Sequence, residues 1–201
     1  MPLPPASSDE TIAKPTSADY IPSYLTEDGF DLPRLLDDDF FKAIRLLFKN
    51  KYFVSTAKLL VTFIDTVGFV EFGDTGENTF VKWLDVYADL TPVGVTATEL
   101  WEYRNSLLHL TSPDSRRVVA GKVRRLMSYV GNPPEDFPTD DKYSKYYNLF
   151  SLLLAVNQAC SRWCDSYNKD RSKLEQFFDR YDLIVSDNRM LTVKIDDLTN
   201  R

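Results

Sequence analysis

The chain has little of what most catalytic constellations need: one histidine and two cysteines in 201 residues. Cys160 and Cys164 are too few for a secreted disulfide framework, and one histidine beside them makes no zinc set. They read as core thiols, and no metal site is expected. The seven glycines form no phosphate-cradling loop, and no Cys/His nucleophile pair has supporting residues around it, so no cofactor is expected either. No apolar run approaches the roughly 20 residues needed to cross a bilayer, and the first residues hold no basic segment leading into an apolar one. A cytoplasmic protein without a membrane partner is therefore expected. Positive charge is also in short supply, since the formal net charge is -6. A nucleic-acid partner would have to be held by a local basic patch.

What is present is the composition of one ordinary soluble domain, 43% hydrophobic and 27% charged. Six of the eleven prolines fall in residues 1–33 among Ser, Thr and Asp, without apolar periodicity. That segment reads as a flexible arm and residues 34–201 as a single domain. In "DDDFFKAIRLLFKNKYFVSTAKLLVTFIDTVGFV" apolar residues recur at three and four spacings, which predicts two helices divided near Asn50, with Asp37, Asp38 and Asp39 as cap and dipole partners of the first. Phe80, Trp83, Leu84, Tyr87 and Leu90 make the stripe of a third helix, closed by Pro92 and Gly94. A fourth starts at Thr96, where T-A-T-E has the spacing of a capping box with Glu99.

Residues 115–131 fit a helix by their apolar spacing and a hairpin by their valines, with nothing to separate the two. "YYNLFSLLLAVNQACSRWCDSY" is strongly helical, and "KLEQFFDRY" prolongs it or adds a short helix. In "DLIVSDNRMLTVKI", two β-type runs flank turn residues 186–188, predicting a small C-terminal hairpin.

The fourth helix carries "RNSLLH": Arg104, Asn105, three residues, then His109. Arginine and histidine suit phosphodiester cleavage, because imidazole moves a proton near neutral pH and guanidinium neutralises charge growing on phosphoryl oxygens. Five residues of regular helix set two side chains about 140° apart. Pro113, however, puts His109 near the helix end, where the backbone can unwind and bring the ring back beside Arg104.

This motif resembles that of the HEPN family, whose ribonucleases carry Arg-x4-6-His at the end of a helix, often with a polar residue after the Arg. The wider wording "GVTATELWEYRNSLLHLTSPDSRRV" also looks like a small bacterial HEPN branch. The resemblance spans about residues 36–180, though its specific part is six residues. It implies a mainly α fold, a four- or five-helix HEPN-like bundle to which the small C-terminal hairpin would be added. It also implies a homodimer with a composite active site, and metal-independent RNA cleavage to 2',3'-cyclic phosphate and 5'-hydroxyl ends. A toxin-antitoxin, stress or phage-defence setting follows, with an antitoxin protein as partner. His109 would be general base on the 2'-hydroxyl or general acid on the leaving 5'-oxygen, Arg104 would bind the scissile phosphate, and Asn105 would orient His109 or the phosphate by hydrogen bonding. The rival readings are an inactive HEPN module that binds RNA, nucleotide or a protein, and a helical scaffold in which Arg104 pairs with a carboxylate such as Glu102 or Asp85.

Arg116, Arg117, Lys122, Arg124 and Arg125 follow the motif with no acid among them. In an acidic chain they are the candidate RNA phosphate contacts, the alternative being a solvated face balanced by nearby acids.

Overall fold

The computed structural model describes residues 21–109, 116–137 and 141–184, with the backbone alone for His109 and Arg116. The fold is mainly helical, with two small two-stranded sheets. Residues 21–33, placed in the arm by composition, are folded. A 3-10 turn at Ile21–Tyr24 leads into the antiparallel pair β1 (Leu25–Thr26) and β2 (Gly29–Phe30), and Tyr24 and Leu32 are buried. The prolines mislead here because Pro33 sits in the first turn of a helix, where its missing N–H costs nothing.

That helix, α1 (Leu32–Leu36), is capped by Asp31, whose carboxylate accepts the Arg34 N–H at 3.0 Å. The three aspartates expected to start it lie further in, in a π-helical turn at Asp37–Phe41 that runs into α2 (Lys42–Lys49). Their partners are Arg45 for Asp37, Lys42 and Tyr24 for Asp38, and the Tyr181 hydroxyl for Asp39. The wider turn changes the helix register locally. Adjacent Phe40 and Phe41 are thereby both buried, with their rings 5.3 and 4.8 Å from that of Phe63.

The chain breaks after Asn50, as the pattern predicts, with Lys51 at φ 63°. Helix α3 (Phe53–Phe72) then runs through the core with ten residues buried. By length and composition it is apolar enough to cross a bilayer, where the sequence reading expects no such run. In this fold its apolar sides are covered by neighbouring helices. Gly68 lets the start of α4 (Thr79–Tyr87) come close: a Cβ there would lie 2.7 Å from the Thr79 carbonyl oxygen. Trp83 of α4 is fully buried between Phe63 and Trp163.

Helix α5 (Ala97–His109) has the expected capping box. Thr96 Oγ1 accepts the Glu99 N–H at 3.1 Å, and Glu99 Oε2 accepts the Thr96 N–H at 2.8 Å. Residues 116–131 are neither one helix nor a hairpin. A single turn, α6 (Arg116–Val119), precedes β3 (Arg125–Tyr129), which pairs in parallel with β4 (Ser144–Asn148), Arg125 opposite Ser144 and Tyr129 opposite Asn148. Val119 and Val130 are exposed, and of β3 only Leu126 is buried. Helix α7 (Leu149–Lys169) starts later than its apolar pattern, because Tyr146 and Tyr147 belong to β4 and Asn148 is the cap, accepting the Phe150 N–H at 2.9 Å.

A separate helix, α8 (residues 173–184), follows a turn. It takes in Asp182, Leu183 and Ile184, where the first strand of the C-terminal hairpin was expected; the rest of that expectation lies outside the described residues. Phe177 and Tyr181 of α8 stack at 4.9 Å and close the core over Trp163.

Candidate functional site

Arg104 is fixed from three sides. Its Nε donates to Asp65 Oδ2 at 2.7 Å and its Nη2 donates to the same oxygen, while Nη1 donates to Asn105 Oδ1 at 3.0 Å. The guanidinium carbon lies 5.0 Å from the ring centroid of Trp101, one helical turn earlier. Both charged side chains are mostly sequestered, 18% exposed for Arg104 and 27% for Asp65. The carboxylate that grips Arg104 comes from α3, 39 residues away in sequence. An acid in the middle of an apolar helix was the available signal, since such a group is rarely kept without a partner.

Asn105 Oδ1 accepts from Arg104, whereas the partner expected for it is His109, of which only the backbone is described. His109 is the last residue of α5, and the helix is regular up to it. The unwinding expected ahead of Pro113 does not begin before His109, so the two backbone positions stand about 140° apart around the axis and about 7.5 Å along it. Pro113 itself lies outside the described residues.

The basic segment folds back onto the N-terminal half of α5, where it meets acids. Arg117 Nη1 is 3.0 Å from Glu102 Oε1, and Arg124 Nη2 is 3.4 Å from Glu99 Oε1. Lys145 of β4 joins Glu99 at 3.2 Å. Burial pushes the Glu99 carboxyl up, but the Thr96 N–H and the Lys145 ammonium outweigh it and hold it below the usual range. Glu102 is 5% exposed, so its bond to Arg117 compensates a buried charge. Lys122 is exposed and Arg125 half-buried. The acids missing from the segment itself are supplied in space by the motif helix.

A cleft of about 590 Å³ opens between α4 and α5, lined in part by Trp101, over which Arg104 lies, and is within the roughly 300–1,000 Å³ of small-molecule sites. Trp101 and Val81 give it an apolar side; Lys82, Asp85, Glu77 and Arg117 are the charged groups around it. Trp101 and Asp65 are the two members of this region that the motif alone did not reveal.

The two thiols are buried and free, and the Cys160 thiol is pushed up by its hydrogen bond with Cys164 and by burial. No group of three or more metal-binding side chains occurs among the described residues. The chain matches no family model, no curated protein and no solved structure.

Proposed function

We propose that this protein is a HEPN-like, metal-independent endoribonuclease acting through Arg104 and His109, in a helical bundle of the HEPN kind. The observation that carries the reading is the fixed guanidinium: Arg104 is held by Asp65 and Asn105 on a capped helix that runs to His109. A charged donor held before substrate arrives avoids reorganisation when charge grows on phosphorus-bound oxygens.

In this reading the ribose 2'-oxygen attacks phosphorus and the bond to the 5'-oxygen breaks. His109 takes the 2'-hydroxyl proton or delivers one to the leaving oxygen, and a second copy of the chain supplies the other role. The ends left are a 2',3'-cyclic phosphate and a 5'-hydroxyl. Arg117, Lys122, Arg124 and Arg125, with Arg116, are the RNA phosphate contacts, and a cytoplasmic toxin-antitoxin, stress or defence setting follows.

One observation favours a second reading. The Asp65 carboxylate already neutralises Arg104 inside the domain, which suits an inactive module that binds RNA through the basic segment. The test is to incubate single-stranded RNA with the protein in EDTA. The ribonuclease reading expects cyclic-phosphate ends and a loss of about 100-fold or more in both His109→Ala and Arg104→Ala. Undiminished cleavage by the His109→Ala protein overturns it. Salt-sensitive RNA binding without cleavage selects the inactive module.

A further inference from the structure

We infer that the cleft between α4 and α5 seats one unpaired guanine base of the RNA, stacked on Trp101 and read by the Asp85 carboxylate. The inference rests on the ribonuclease reading and names the base that the same site selects.

Charge decides against a phosphate in the cleft. Two carboxylates, Glu77 and Asp85, match two cations, Lys82 and Arg117, and Lys82 is bonded to Glu77 at 2.6 Å. Arg117 is shared with Glu102. A cleft without net positive charge holds no particular attraction for an anion, whereas a neutral planar group meets an aromatic wall there. The wall is Trp101, whose ring lies 5.5 Å from Phe80 and carries the Arg104 guanidinium 5.0 Å away. A base against Trp101 thus lies next to the group proposed to hold the scissile phosphate. Trp83 and Trp163 are both fully buried, so Trp101 is the tryptophan that solvent and ligand can reach.

Asp85 supplies the selection. It is exposed, lines the cleft, and has no hydrogen-bond or ion-pair partner among the described residues. A carboxylate only accepts hydrogen bonds, through two oxygens. Guanine offers two adjacent N–H donors, on N1 and the 2-amino group, that match them; adenine, cytosine and uracil do not present such a pair.

Tryptophan fluorescence tests this with the four nucleoside 5'-monophosphates as probes. Guanosine monophosphate should quench the emission saturably, and binding should weaken about tenfold in Asp85→Asn, the usual worth of a bidentate base contact. Trp101→Phe, followed by equilibrium dialysis because its emission differs, should keep most of the affinity, and Trp101→Leu should lose it. Mapped cut sites should lie beside guanine, with that preference reduced in Asp85→Asn. Equal binding of all four nucleotides, or an Asp85→Asn protein with unchanged affinity and cut sites, overturns the guanine assignment and leaves the ribonuclease reading standing. Asp85-dependent binding of guanosine monophosphate by a protein that cuts no RNA overturns the ribonuclease reading and leaves the base site.

Discussion

Replacing Asp65 with asparagine separates the structural work of the Arg104 pair from its proposed chemical work. The change keeps the side chain's shape and removes one charge, so Arg104 stays mostly sequestered, 18% exposed, without its counter-ion. Exposed ion pairs contribute about 0–1 kcal/mol, while breaking a fully buried one costs about 3–5 kcal/mol. With Arg104 and Asp65 between those limits, Asp65→Asn should destabilise the fold by about 1–3 kcal/mol. In a chain of this size 2 kcal/mol corresponds to a fall in Tm of about 4–8 °C. Arg104→Gln should cost a similar amount, and the double variant much less than the sum, because each single change already breaks the pair.

Urea unfolding of the wild type, both singles and the double gives the coupling energy directly, expected at about 1–2 kcal/mol. Additivity within about 0.5 kcal/mol would refute the ion pair as an energetic unit. The same proteins assayed on RNA, well below their unfolding midpoints, test the chemistry. If Asp65 is a positioning residue for Arg104, Asp65→Asn lowers kcat about tenfold or more with little change in KM, and Asp65→Glu restores part of it. Full activity in a folded Asp65→Asn protein means the pair serves stability alone.

Three further outcomes follow from the packing. Glu71 accepts Tyr87, Lys173, Trp163 and Tyr167; burial pushes its carboxyl up, yet Lys173, Trp163 and Tyr87 hold it below the usual range. Its stabilising contribution is thus full above the unfolded carboxyl value and is lost as pH falls through the lower folded one. Glu71→Gln should cost about 2–3 kcal/mol at pH 7 and progressively less on acidification, as read by melts from pH 7 to pH 3; a penalty that does not change with pH contradicts this. Thr96→Ala removes one side of the capping box and should cost about 1 kcal/mol, with faster amide exchange confined to the first turn of α5. Gly68→Ala gains about 1 kcal/mol of helix propensity but sets a Cβ 2.7 Å from the Thr79 carbonyl oxygen, so its urea midpoint should fall; a rise means that α4 moves away freely.

The long helices α3, α4 and α7 were legible because burial leaves apolar residues at three and four spacings, and α5 because its capping box is local in sequence. The helix at α1 was displaced in the reading because Asp31 and the aspartates at 37–39 carry the same capping chemistry. Only the contacts with Arg45, Lys42 and Tyr181 tell them apart. The parallel pairing of β3 with β4 left no local signal. Turn residues announce a hairpin, whereas a parallel partner returns after a connection whose ends the sequence does not join.

The site was half legible for the same reason. Arg104, Asn105 and His109 sit in six consecutive residues, and the Arg104–Asn105 contact is local. Asp65 and Trp101 act through tertiary contacts, and they decide what the motif can do. An arginine with a free guanidinium on a helix face is a mobile cation; one gripped on its Nε edge by Asp65 and lying over an indole has a defined direction. That grip also lowers the positive field a phosphate meets, so orientation is gained at the expense of attraction. The basic segment pays no such penalty at Lys122, which is exposed, though Arg117 and Arg124 are already shared with Glu102 and Glu99. If the site cleaves RNA, strand capture must therefore come largely from the edge of the segment and catalysis from the fixed arginine. Lys122→Ala should then weaken RNA binding at every sequence and lower its salt dependence by about one counter-ion, without altering kcat at saturating RNA. A lower kcat with binding unchanged would place Lys122 at the chemistry instead and undo that division of labour.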